Sequence, residues 1–366
     1  MSLTAVVEGN EIKYHVMDPT GNITILVETP VEEASQPFIA AELMQREPDA
    51  EQVGFLTLSK QSADDRKFCD IALRMAGGEF CGNATMSAAA FYAARNSMQE
   101  GTVTVRVSGA AEPVPVEICL ASAESAPVES GLASGEPDPA DICPASSESV
   151  PAEIRSAEAE PVCRQDFQTS PVPVYRGTVT MPRPVAITEV KLPVSTVIRS
   201  ESVQEPKGVR RQTKLPSSGQ KSHNPAETYC TYPVVHFEGI DHVILEGEPE
   251  GIRAEELAPL WCRELQAEAV GLMFLNRTEG TLTPLVYVPE AGTLVWENSC
   301  ASGTSAVGAW AASRCQTADP YPSSSQETAG GRESAVQLSL QEPGGILRVE
   351  VSADGEIRLT GTVRER

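Results

Sequence analysis

The stretch EFCGNATMSAAAF, residues 79–91, decides how this chain is read, because it returns 219 positions later as NSCASGTSAVGAW, residues 298–310. The two overlay without a gap. Cys81 falls on Cys300, Thr85 on Thr304, Ala90 on Ala309 and Phe91 on Trp310. A lone cysteine before small residues is ordinarily a buried apolar residue. Repetition of the whole pattern argues instead for a paired role. After each cysteine, ATMSAAAFYAA and GTSAVGAWAA are small or apolar on every side, which predicts a helix surrounded by protein. Gly82, Asn83, Ser302 and Gly303 suit the start of such a helix.

A cysteine at a helix N-terminus meets unpaired backbone N–H groups and the positive end of the dipole. That environment is expected to lower the thiol pKa and to hold a small anion such as a carboxylate. Two such ends facing each other would set two thiols on opposite sides of one carboxylate-bearing molecule. One thiolate then removes an α-proton while the other thiol protonates the opposite face, with roles reversed for the enantiomer. General acid–base catalysis supplies about 10²–10⁴-fold, and fixed N–H dipoles around a carbanion-like transition state would supply more. The scheme needs no pyridoxal and no metal.

Outward from the two turns, NITILVE (22–28), GFLTLS (54–59), TVTVRVSG (102–109) and YRGTVTMP (175–182) read as strands. So do YPVVHFE (232–238), HVILEG (242–247), VGLMFLN (270–276), LTPLVYVP (282–289) and ILRVEVS (346–352). PFIAAELMQRE (37–47) and RAEELAPLWCRELQAEA (253–269) read as amphipathic helices. Each half thus has strands, one amphipathic helix and one apolar helix led by cysteine, a duplicated α+β plan. The halves are expected at 1–185 and 186–355. Two stretches break the pattern. Residues 112–170 carry twelve acidic residues and two arginines, and EICLASAESAPVE (117–129) is echoed by DICPASSESVPAE (141–153). Low in apolar surface, the stretch at about 119–172 reads as a disordered acidic insertion. A polar, basic stretch at 199–227 reads as a second loop insertion.

The 366 residues carry a formal charge of −23, which disfavours nucleic-acid binding. No apolar run approaches the roughly 18 residues of a membrane span. Nine cysteines without a CxxC pair, behind a start that lacks the plan of a signal peptide, read as free thiols in the cytoplasm. His236, His242 and Asp241 are too few for a metal site and read as packed or hydrogen-bonded residues. No phosphate loop and no G-x-S-x-G elbow is present.

CGNAT and CASGT resemble the paired turns of the diaminopimelate epimerase fold, shared by cofactor-independent two-cysteine racemases and epimerases. The closer resemblance is to the histidine racemases of staphylopine-type metallophore biosynthesis. It covers DPTGNITILV (18–27), EQVGF (51–55), GGEFCGNATMS (77–87), VRVSG (105–109), TPLVYVPE (283–290) and WENSCASGTSAVG (296–308). It implies two pseudo-symmetric domains, each a curved sheet around a central helix, with the site in the cleft between them. The last strand, EIRLTGTV (356–363), should return to the first domain.

The resemblance makes Cys81 and Cys300 the acid/base pair. It points to Asn22 as the asparagine that reaches the substrate and to Glu51 as the glutamate that faces the substrate side chain. Gly82, Asn83, Gly303 and Thr304, with Ala301 and Ser302 beside them, would supply helix-start donors for the α-carboxylate. Glu297 would meet the ammonium. Bland readings stand beside these: Glu51 as a solvated acid next to a strand, Glu297 as an acid stabilising a helix dipole.

The chain also departs from the pattern. Diaminopimelate epimerases carry N-A-D-G-S and E-R-G-A-G-E-type elements ahead of their cysteines, where this chain has LRMAGGEF and VWENS. Ala301 replaces a glycine, and would be strained if that position required positive φ. The expected activity is racemisation of an amino acid, histidine first, feeding an opine-type metallophore. The alternatives are another amino acid, diaminopimelate included, or a non-catalytic binding protein on the same fold. Homodimerisation is left open.

Overall fold

The structure is a computed structural model that describes residues 2–7, 9–58, 69–121, 172–194, 228–250, 252–290, 292–315 and 334–366. The stretch read as an acidic insertion lies outside the described residues except for 119–121 and 172, and the basic stretch 199–227 lies wholly outside them. Met1–Ala121 and Val172–Arg366 form one compact unit.

Strands β1 (Leu3–Val7) and β2 (Asn10–Pro19) pair antiparallel, and β2 turns back into β3 (Thr24–Val27). Helix α1 (Gln36–Arg46) carries the chain over to β4 (Gln52–Thr57), which lies parallel to β3, and β5 (Ile71–Met75) returns antiparallel. Helix α2 (Gly82–Arg95) leads to β6 (Glu100–Val107), parallel to β5, followed by β7 (Val114–Leu120) and β8 (Val174–Met181). Next come β9 (Ala186–Val194), β10 (Thr228–Phe237) and β11 (Ile240–Glu246), all antiparallel neighbours. Helix α3 (Ala254–Leu265) connects β11 to its parallel neighbour β12 (Val270–Asn276), and β13 (Thr281–Val288) and β14 (Thr293–Trp296) meander back. Helix α4 (Ala301–Cys315) leads to β15 (Ser334–Glu342), β16 (Gly345–Ser352) and β17 (Ile357–Glu365).

The duplication is visible in this order. The run β3–α1–β4–β5–α2–β6 recurs as β11–α3–β12–β13–β14–α4–β15, with the short β14 added and parallel pairings at the same two places. Each repeat has a helix on either face of its strands. Alternate strand residues feed the two layers, as the period of two requires. Ile25, Val27, Val53 and Phe55 pack with Ile39 and Leu43 of α1, whereas Leu26 and Leu56 share a core with α2. Leu272 and Phe274 pack with Trp261 of α3, whereas Met273 and Leu275 share a core with Val307 and Trp310 of α4. The α+β architecture expected from the two cysteine-led runs is therefore present, and α2 and α4 are the helices surrounded by protein. Ala84, Met86, Ala88 and Ala89 of α2, and Ala306 of α4, have no exposed surface.

Strands β1, β2, β5, β7, β9, β14 and β15 were not anticipated. β9 shows why: its sequence AITEVKLPV alternates weakly, and most of its residues are exposed or half-buried. Strand β17 pairs with β8 along one side, and with β16 and then the end of β2 along the other, which joins the two repeats. Of the two histidines, His236 bonds Asp241 and Thr188, both at 2.8 Å. His242 is fully buried, its ring nitrogens have no partner, and burial pushes its pKa down to about 3, so it packs as a neutral ring.

Met86 of α2 is fully buried, so truncating it leaves a cavity in the core. Met86→Ala is expected to lower the unfolding free energy by about 2–5 kcal/mol, read from urea denaturation.

Candidate active site

Cys81 is the N-cap of α2, in extended conformation, and its sulfur accepts from the Ala84 N–H at 3.4 Å. Cys300 stands just ahead of α4, and its sulfur accepts from the Gly303 N–H at 3.3 Å. Each cysteine carbonyl then receives the N–H of the residue four places on: Thr85 and Thr304, both at 2.9 Å. The two turns are thus the same structure built twice, as the aligned cysteines and threonines imply.

The two helix starts touch. A Cβ placed on Gly82 would lie 3.1 Å from the Cβ of Ala301 and 2.7 Å from the Met181 sulfur, so only glycine lets the turns approach this closely. Asn83 Nδ2 reaches the Ser299 carbonyl at 3.4 Å, and Asn83 Oδ1 is buried without a hydrogen-bond partner. Gly303 is held in the same way, since a Cβ there would overlap the Met273 sulfur. Ala301 is not among the residues with positive φ, so the strain considered for alanine at this position does not arise.

The expected carboxylate donors need one correction. The N–H groups of Gly303 and Thr304 are already taken, by Cys300 Sγ and by the Cys300 carbonyl. Helix geometry leaves the earliest N–H groups of a first turn without an intrahelical partner. Those are Gly82 and Asn83 in α2, and Ala301 and Ser302 in α4. Ser302 also places its hydroxyl 3.6 Å from Cys300 Sγ.

Asn22 sits on the β2–β3 turn, behind two residues with positive φ, Thr20 at 53° and Gly21 at 89°. A non-glycine residue in that region costs about 1–3 kcal/mol, and Thr20 is held there from β17: its N–H bonds the Thr362 carbonyl at 2.9 Å, and its hydroxyl accepts the Thr362 N–H at 3.0 Å. Gly21 lies against the backbone of Gly344, and a Cβ on Gly344 would lie 2.7 Å from the Gly21 Cα. This turn delivers Asn22 to Glu51, whose carboxylate accepts from Asn22 Nδ2 and, at 2.8 Å, from Asn298 Nδ2. Glu51 is therefore not a solvated acid; it bridges the two repeats.

Sequence reading missed four residues. Gln52 accepts the Cys81 thiol at 2.9 Å. Its only signal was adjacency to Glu51. Asn298 and Ser299 lie inside the repeated motif, but nothing in the motif says which neighbours they meet. Glu342, at the end of β15, accepts from the Cys300 N–H at 2.7 Å and from the Thr304 hydroxyl. Forty-two positions separate it from Cys300, and only the fold brings it there.

The thiols do not behave as expected. Burial pushes Cys81 up to about 12, against the lowering effect of the Ala84 N–H, and the charges of Glu79 and Glu297 raise it further. Burial likewise raises Cys300 well above its usual value, helped by Glu297 and Glu342. The magnitudes explain the reversal. A helix terminus contributes about 0.3–1 kcal/mol, less than one pKa unit, whereas burial shifts a group by as much as about 3–5 units. In the free protein both cysteines are thiols. Burial also raises Glu342, to about 8. Among the described residues, no three His, Cys, Asp or Glu side chains gather as metal ligands, and no helix is long and apolar enough to cross a membrane.

The family and the relatives that this duplicated α+β chain matches make it an isomerase of the racemase and epimerase class. The chain belongs to the family described as the histidine racemase CntK N-terminal domain, whose model matches residues 11–127 and 181–364. It is similar to the histidine racemase of Staphylococcus aureus (strain Mu50), 24% identical over 302 residues, which are 81% of this chain and 78% of that protein. It is also similar to the histidine racemase of Fusobacterium nucleatum subsp. nucleatum (strain ATCC 23726), 24% identical over 80% of this chain and 78% of that one. A solved structure of a "Predicted Epimerase" from Pseudomonas aeruginosa overlays 96% of both chains at 14% identity, with a TM-score of 0.49.

Glu342 gives a pH test of this site. Its folded pKa lies above the ordinary 4.5, so the native state binds more protons than the unfolded chain between pH 4.5 and about 8. Stability from this group is complete below pH 4.5 and is lost as pH rises toward 8. Glu342→Gln is expected to remove that decline, seen as a flatter profile of urea midpoint against pH.

Proposed function

We propose that the protein is a cofactor-independent amino-acid racemase that interconverts L- and D-histidine, with Cys81 and Cys300 as its two proton-transferring groups. The observation that carries this reading is the contact between the two cysteine-led helix starts, Gly82 against Ala301 and Asn83 against Ser299. A carboxylate set between the starts would meet the N–H groups of Gly82, Asn83, Ala301 and Ser302, all uncharged and fixed before the substrate arrives. The substrate ammonium would lie toward Glu297, whose charge reaches both thiols, and toward the unpartnered oxygen of Asn83.

That arrangement answers how two high-pKa thiols could work. An ammonium beside Glu297 offsets the negative charge that raises both, so substrate binding itself favours forming the thiolate. One thiolate takes the α-proton, and the opposite thiol delivers its own proton to the other face. Glu51 and Asn298 would face the side chain, and a carboxylate suits an imidazole N–H. Family membership and relatives that are themselves histidine racemases support histidine as the substrate. Supply of D-histidine to an opine-type metallophore is the role the same relationship suggests.

Incubation with L-histidine in D₂O is expected to show loss of the α-proton signal and growth of the D-enantiomer. The rate should rise with pH above neutrality, as the first thiol ionises. Cys81→Ser and Cys300→Ser should each abolish racemisation, a loss of about 10²-fold or more. Retained turnover in either variant excludes the two-base scheme, and exchange with a different amino acid alone would reassign the substrate.

A further inference from the structure

Five side chains around Cys81 form one continuous line of hydrogen bonds, and the line has a direction. It begins at Glu51, which accepts from Asn298 Nδ2 at 2.8 Å and from Asn22 Nδ2. A carboxylate can only accept, so the amide of Asn22 must point its NH₂ at Glu51 and its oxygen the other way. That oxygen receives Gln52 Nε2 at 2.5 Å. Gln52 Nε2 also donates to Thr24 Oγ1 at 2.8 Å, and the Thr24 hydroxyl has its own proton in a 3.0 Å bond to the Asn22 carbonyl. Two independent partners therefore require Gln52 to turn its NH₂ away from the cysteine. What remains for the sulfur, at 2.9 Å, is the Gln52 oxygen.

We infer that Gln52 is a positioning residue that holds Cys81 as the proton-bearing thiol, and that it takes this orientation from Glu51 through Asn22. An oxygen facing the sulfur accepts S–H and repels a thiolate; an NH₂ in the same place would do the opposite. Glu51 does not touch Cys81, yet it decides which end of Gln52 the cysteine meets. The inference deepens the proposed racemase reading, because it makes Cys81 the acid of the free enzyme and links its protonation to the residue proposed to meet the substrate side chain. A substrate group that withdraws the Glu51 carboxylate from Asn22 would free both amides to turn over and present N–H to the sulfur.

Other charges also face Cys81: Glu79 from its own segment and Glu297 from the segment ahead of α4. The experiment must separate them from the relay. Glu51→Gln offers Asn298 an oxygen and Asn22 an NH₂, which reverses Asn22 and Gln52 in turn once the Thr24 hydroxyl swings to donate. Iodoacetamide alkylation of the Cys81 peptide, followed by mass spectrometry across pH, reads the thiolate without any turnover. Glu51→Gln is expected to lower the midpoint by about one unit, or about tenfold faster alkylation at neutral pH. In a Gln52→Leu background, and again in Gln52→Met in case leucine disturbs folding, the same Glu51→Gln change should produce no shift. An equal shift in all backgrounds would mean that the Glu51 charge acts through space, and no shift in any would mean that the orientation is not transmitted; either overturns the inference. A protein inactive on every amino acid would leave this result intact, so the two readings fail separately.

Discussion

Enclosure of α2 and α4 on every side is the constraint on which the rest of the structure depends. A helix wrapped by strands has no wet face, so its side chains must be small or apolar all round, as they are from Ala84 to Ala90 and from Ala306 to Ala312. Its first turn is enclosed as well. The N–H groups that water would satisfy on a surface helix must find partners inside. The two cysteine sulfurs and the buried Glu342 supply some of these partners, and the earliest N–H groups of each helix are left over at the junction of the two helices. The site is in this sense a by-product of putting two helix starts indoors and against each other.

The same enclosure explains how much could be read in advance. The repeated cysteine motif is local: sterics and helix chemistry dictate glycine, threonine and alanine at fixed spacing, so Cys81, Cys300 and their helices were legible. Burial had the opposite effect on the protonation of the thiols. A helix start is a short-range feature of sequence, whereas desolvation is set by strands hundreds of residues away, and it is the larger of the two influences on Cys81. Glu342 and Gln52 were missed for a related reason. Their roles come from register, because β15 ends beside the Cys300 turn and β4 begins beside the Asn22 turn. Strands such as β9, exposed and weakly alternating, are made by pairing and not by their own pattern.

The fold is repeated, but its two cysteines do not live alike. Cys81 faces a neutral carboxamide within a chain of amides. Cys300 has carboxylates at its back, Glu342 on its own N–H and Glu297 near its sulfur. Duplication supplied a symmetric frame; the residues that differ between the halves set each thiol's affinity for a proton. The proposed two-base scheme has no need for two identical thiols, because it only requires that one be loaded when the other is empty.

Strand β17 has a consequence in time. It lies between β8 on one side and β16 and the end of β2 on the other, and it also steadies the turn that carries Asn22. During synthesis, residues 357–365 emerge after everything they hold together. Until then β8 presents an unpaired edge beside the core of α2, and the first repeat waits incomplete while the second is made. Such an edge is an invitation to pair with another chain. The sheet of the first repeat therefore closes only when residues 357–364, made after the whole second repeat, reach β8.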